Sequence, residues 1–170
     1  YKWSNASRRV RTETKDNKNF TTIKTQGSWT SRVRQALEQI DTKYVIFLLD
    51  DFFLRKQVRQ DIIDSAVAQF DDNTAVFNFE LNKDTKTIES ALKGFKTRQN
   101  NQMYLCSCQP SIWDRKKLIS LLQEDMTPWQ WETQILDSDY KFNINTTELV
   151  FDIGYYEERK SWGIVQGKWA

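Results

Sequence analysis

Tyr44-Val45-Ile46-Phe47-Leu48-Leu49 is a continuous apolar run that stops at two adjacent carboxylates, Asp50 and Asp51, before Phe52 and Phe53. A short apolar run with polar flanks predicts a strand over 44–49 buried on both faces. Such a strand belongs in a sheet covered by helices, and this fixes the α/β class as the first expectation. In open α/β sheets ligands gather beyond the carboxyl ends of the strands, so Asp50 and Asp51 are expected at the rim of a site. Adjacent carboxylates repel unless a cation or a hydrogen-bond network offsets them. A divalent metal carrying phosphates suits hard oxygen ligands of this kind, while a turn acid capping the next helix is the equally weighted alternative.

The rest of the composition narrows the chemistry. The chain has 170 residues, enough for one domain over 1–170, with residues 1–19 expected as a loop or linker. A net charge of +2 leaves no nucleic-acid footprint. The chain contains no His, which excludes Ser-His and Cys-His nucleophiles and His-ligated zinc. Acid–base work would fall to Asp, Glu, Lys, Tyr or Cys. Cys106 and Cys108 are expected as buried, inert thiols on a strand, and a reducing cytoplasm follows as the default. No apolar segment approaches the ~20 residues that cross a bilayer. The chain opens at Tyr1-Lys2-Trp3 without a Met, which predicts a piece of a longer chain. Lys2, Arg8, Arg9 and Arg11 form a short basic stretch that weakly suits peripheral contact with an anionic membrane surface, though a cluster this short and unpatterned is more often a solvated loop.

Periodicity supplies the elements. Trp29, Val33, Ala36, Leu37 and Ile40 share one face of a helix that Ser28 can cap; Arg32 and Arg34 lie on other faces. Val58 to Phe70 carries a second helical stripe, broken at Asp71-Asp72-Asn73. Thr74–Phe79 and Met103–Ser107 are expected strands, residues 82–100 mostly loop, and Asp114 caps a third helix. Thr127-Pro128-Trp129-Gln130 combines an N-cap, Pro at N1 and a capping box, predicting a helix to about Leu136. Asn143 to Ile153 is the last long strand-like stretch, with loop and strand from Gly154 to Ala170. Strands alternating with helices indicate an α/β sandwich.

Four constellations carry possible chemistry. Asp50-Asp51 fails the Asp-x-Asp spacing of a haloacid-dehalogenase-type phosphatase. It also lacks the later strand-end Asp that a response-regulator receiver needs, because strand 74–79 runs into Glu80. Glu132 is expected in the first turns of the capped helix, where the positive helix end favours a charged, proton-accepting carboxylate. Trp129 and Trp131 beside it would form a wall for a sugar ring, or else two core tryptophans beside a stabilising Glu. Gln109 follows the cysteines at a Gln-Pro break and is placed either to bond a substrate or to satisfy the loop. Lys168, between Gly167 and Trp169, offers a point charge for phosphate, or a solvated terminal amine.

Taken in order, these pieces resemble bacterial glycosyltransferases of the GT-A type, which act in capsule, lipopolysaccharide and other surface-glycan synthesis. The resemblance covers roughly residues 20–170. It rests on Trp29 with Arg32, the strand ending Leu49-Asp50-Asp51-Phe52-Phe53, Gln109-Pro110-Ser111-Ile112-Trp113, Pro128-Trp129-Gln130-Trp131-Glu132, and Gly163 to Trp169. It implies an α/β, GT-A-like (nucleotide-diphospho-sugar transferase) mixed sheet flanked by helices. It further implies an inverting transfer from a nucleotide-sugar donor to a glycan or lipid-linked acceptor. Asp50 and Asp51 would hold a divalent metal, Mn2+ or Mg2+, with the diphosphate. Glu132 would be the base, with Asp51 beside it in catalysis. Phe52, Arg32, Gln109, Trp129, Trp131 and Lys168 would contact substrates. Such an enzyme would be cytoplasmic, extending to the inner face of the membrane. The alternative is a non-catalytic carbohydrate-binding or interaction module built on a transferase fold.

Overall fold

The computed structural model describes residues 23–49, 52, 54, 56–81 and 85–151, together with the backbone of 164–165 and 168–169. Asp50 and Asp51, and the basic stretch from Lys2 to Arg11, lie outside the described residues.

A mixed sheet of six strands forms the frame, in the order β1-β5-β2-β6-β4-β3. The strands are β1 Tyr44–Phe47, β2 Thr74–Asn78, β3 Thr87–Ile88, β4 Phe95–Arg98, β5 Ser111–Asp114 and β6 Lys141–Asn145. The helices are α1 Trp29–Glu38, α2 Gln60–Ala68, α3 Arg115–Leu121 and α4 Pro128–Thr133. The α/β class is therefore as expected: a mixed sheet with helices. β2 runs parallel to β6. β5 is antiparallel to both β1 and β2, so β1, β2 and β6 point the same way and their carboxyl ends share one rim. Ile164–Val165 (β7) and Lys168–Trp169 (β8) form a separate two-stranded sheet.

The two faces of the sheet are packed differently, and strand alternation decides which side chain goes where. On one face Val76, Trp113 and Phe142 meet Leu37 of α1, Leu118 and Leu121 of α3, and Trp131 of α4. Trp131 stands at the centre of an aromatic stack, 5.4 Å from the Trp29 ring and 5.8 Å from the Trp113 ring. On the other face Phe77, Phe79, Phe95 and Ile112 pack against Ile63 and Ala66 of α2, with Val150 and Phe151.

Three expectations are corrected. β1 is an edge strand whose residues are half-buried except for the exposed Ile46, because among the described residues it pairs only with β5. The strand buried throughout is β2, whose five residues are all inaccessible. Met103–Ser107 is not a strand. Its ladder is limited to a bridge between Gln102 and Leu136, and Cys106 and Cys108 sit in the buried loop that leads into β5. Finally, the polar stretch expected as loop contains β3 and β4. Phe95 and Arg98 are its buried positions, and the β4–β6 ladder supplies its backbone partners.

Candidate functional site

A polar grouping lies on the tryptophan-bearing face of the sheet, where β2 carries the buried Asn78. Glu80 and Arg98 meet the loop 104–108 there, and Glu132 of α4 meets its far end. The capped start of α4 sets its geometry. Thr127 Oγ1 accepts from Gln130 N–H at 3.2 Å, and Thr127 N–H donates to Gln130 Oε1 at 2.9 Å. The helix is also locked to α1, because Met126 N–H donates to the buried Thr30 hydroxyl at 3.0 Å.

Glu132 then points inward. Its Oε1 accepts from Cys108 N–H at 2.7 Å, and its carbonyl accepts from Tyr104 N–H at 2.7 Å. Glu132 thus staples both ends of the loop 104–108 to α4. The expected electrostatics are reversed. α4 has six residues and Glu132 is near its C-terminal end, where the helix dipole opposes a negative charge. Burial raises the Glu132 pKa, and the neighbouring Glu80 charge adds to the rise, against the lowering effect of Cys108 N–H.

Arg98 is the counter-charge in this region. Its side chain is fully buried and bonds Glu80 Oε1 at 3.0 Å, and a second arm donates to the Tyr104 carbonyl. Burial lowers the Arg98 pKa, against the raising effect of Glu80. The same burial pushes the Cys106 thiol up to about 12, so that sulfur is a packed apolar group. The expectation of inert thiols was right in this respect for Cys106; its strand was not. Arg98 Nε, the Asn78 side-chain amide and Trp131 Nε1 are buried without a hydrogen bond among the described residues. Each such group costs about 1–3 kcal/mol of desolvation.

The expected site residues separate. Trp131 is buried in the aromatic stack, while Trp129, two positions earlier, is 65% exposed; they do not form one wall. The helical turn explains this, since residues two apart point in widely different directions. Arg32 is exposed and donates to Thr25 Oγ1 at 3.4 Å, in the stretch before α1. Gln109 donates through its backbone to Ser107 Oγ at 3.2 Å and accepts from Ser111 Oγ at 2.9 Å, so these bonds satisfy the loop. Phe52 is half-buried, its N–H bonded to the Leu49 carbonyl. Lys168 belongs by its backbone to β8. Asp50 and Asp51, on which the divalent-metal expectation rests, are outside the described residues. Among the described residues no group of three or more Cys, Asp and Glu side chains is placed to hold a metal ion. Among them, too, no helix is long and apolar enough to cross a membrane.

Sequence reasoning missed Glu80 and Arg98. Glu80 is a single acid after a strand, and Arg98 lies in a polar stretch that predicts loop. A two-residue alternation from Phe95 to Arg98 was the available signal.

A second feature is apolar and external. Met103, Tyr104, Trp129 and Ile135 are 48%, 36%, 65% and 71% exposed. The Tyr104–Glu132 backbone bond and the Gln102–Leu136 bridge bring their two segments side by side. This is a patch of large apolar side chains rather than a scatter of single ones.

No family model matches the chain, and no solved structure matches it. A curated relative is serine/threonine-protein phosphatase 4 regulatory subunit 3 from the yeast Kluyveromyces lactis, 29% identical over 126 residues. The match covers 65% of this chain and 16% of that protein. It overturns the resemblance to bacterial glycosyltransferases, and with it the transfer of a sugar from a nucleotide-sugar donor to a glycan acceptor. What this chain is similar to is part of a phosphatase regulatory subunit.

Proposed function

We propose that this chain is a non-catalytic interaction module that binds a partner protein, and that the partner is a serine/threonine phosphatase. The observation that carries the reading is the division of labour on α4. Trp131 and Glu132 are committed to the interior, while Trp129 is held out in solvent by the same six-residue helix. An exposed indole on an anchored element is a costly surface for an isolated domain and a useful one for binding, because Trp is among the residues that dominate protein interfaces. The relative's description as a phosphatase regulatory subunit supports the choice of partner.

Sedimentation of the purified chain with a type-4 serine/threonine phosphatase catalytic subunit tests this. A stoichiometric complex with altered dephosphorylation rates is the expected result. Absence of any complex at ~100 μM of each protein overturns it.

A further inference from the structure

The exposed face built by α4 and the loop 101–104 has a charge pattern as well as an apolar centre. In the stretches that lead into and out of α4 the exposed ionisable side chains are Glu124, Asp125, Asp137 and Asp139. No Lys or Arg occurs between Leu118 and Tyr140, nor between Gln99 and Asp114, in a chain whose net charge is +2. Those four acids make no ion pair among the described residues. Exposed Lys141 lines one groove with Asp139, and further cations stand at the borders. Arg34 donates to the Leu122 carbonyl, and Lys86 bonds Gln102 through its backbone.

The backbone at this face is also unusual. Asn101, Tyr104 and Asp125 adopt positive φ angles of 57°, 64° and 55°, and among the described residues they are the non-glycine positions that do so. For a residue as bulky as Tyr this is a strained conformation, and such strain concentrates at functional surfaces. Here it is held in place by the Tyr104–Glu132 backbone bond and by Arg98, which binds the Tyr104 carbonyl from below.

We infer that this face is the docking surface of the module, and that it takes a partner segment with apolar anchors flanked by Lys or Arg. The inference rests on the interaction reading given above and names the partner chemistry for it. Apolar anchors fill the surface around Trp129. Flanking cations meet the acidic side chains on either side of α4. Opposite charge across an interface sets specificity and association rate, so binding weakens with salt.

Calorimetric titration of the full chain with three synthetic peptides provides the test. One carries Leu and Phe flanked by Lys and Arg, the second replaces the cations by Glu, and the third replaces the apolar residues by Ser. The first is expected to bind at least about tenfold more tightly than either of the others. Trp129→Ala should weaken it by about tenfold or more. The double variant Asp137→Lys/Asp139→Lys should weaken it several-fold and flatten its salt dependence. Equal binding of the Glu peptide, or an unaffected Trp129→Ala variant, overturns the proposal. So does concentration-dependent self-association abolished by Trp129→Ala, which would make a second copy the occupant. If the phosphatase subunit binds but the basic peptide does not, this face alone fails; if neither binds, the interaction reading fails with it.

Discussion

Two neighbouring regions on the same face of the sheet solve burial in opposite ways. The tryptophan stack of Trp29, Trp131 and Trp113, continuing to Phe142, is closed almost entirely by ring against ring. A few ångströms of chain away, Asn78, Glu80, Arg98 and Glu132 place charges and amides in an interior that is just as inaccessible at Asn78 and Arg98. Both lie beneath the loop 104–108 and both are closed by α4. The stack is held by contact area, which is non-directional and tolerates small shifts. The polar region is held by a short set of directional bonds, and losing one partner strands another group away from water.

The largest expected effect comes from breaking the stack. Trp131→Ala should lower unfolding stability by about 3–5 kcal/mol, since it empties the contact shared by α1, α4 and β5. Chemical denaturation measures this directly. A loss below ~1.5 kcal/mol would mean that the loop and α4 collapse onto the vacated space, and that the stack is less tightly determined than its geometry indicates.

Arg98→Met comes next, at about 3 kcal/mol, because it leaves the Glu80 carboxylate without its buried counter-charge. The contrast with the stack sharpens in the double variant. Arg98→Met with Glu80→Gln removes both charges and should recover a substantial part of the loss, a coupling of about 1–3 kcal/mol. No second substitution of similar size would rescue Trp131→Ala in this way. Strict additivity of the two changes would show that the ion pair contributes nothing specific, and the distinction between the regions would disappear.

How much of this was legible in the sequence differs by region. The aromatic stack was half visible: Trp29 is on the predicted buried stripe of α1, and the capping box located α4 to within a few residues. The polar region was not visible, because its members come from β2, β4, the 104–108 loop and α4, and no local pattern brings distant elements together. The edge position of β1 was hidden for the same reason. An apolar run shows that side chains are buried somewhere, and only pairing shows whether a strand has one neighbour or two. The capping box also misled. It located the start of the helix correctly and implied a long one, but Gln134 turns to an extended conformation. That early end put Glu132 near the negative end of α4 rather than the positive one.

Glu132→Gln is the smallest change and the most diagnostic, because it separates the staple from the charge. A glutamine amide oxygen can still accept from Cys108 N–H, so the loop 104–108 should stay docked and the loss should be within ~1 kcal/mol at acidic pH. The pH dependence should change in a defined direction. Burial raises the Glu132 pKa in the folded protein above its unfolded value. The folded state therefore binds the proton more tightly, and between the two pKa values the unfolded state carries fewer protons. The stabilising contribution of protonated Glu132 is fully present below the unfolded pKa and is lost as pH rises through the folded pKa. The melting temperature of the unaltered chain, measured relative to Glu132→Gln, should accordingly fall as pH rises from about 4 into the neutral range. The opposite slope would mean that the Cys108 N–H bond outweighs burial. Glu132 would then behave as a charged anchor, and the polar region would be held by its ions rather than strained by them.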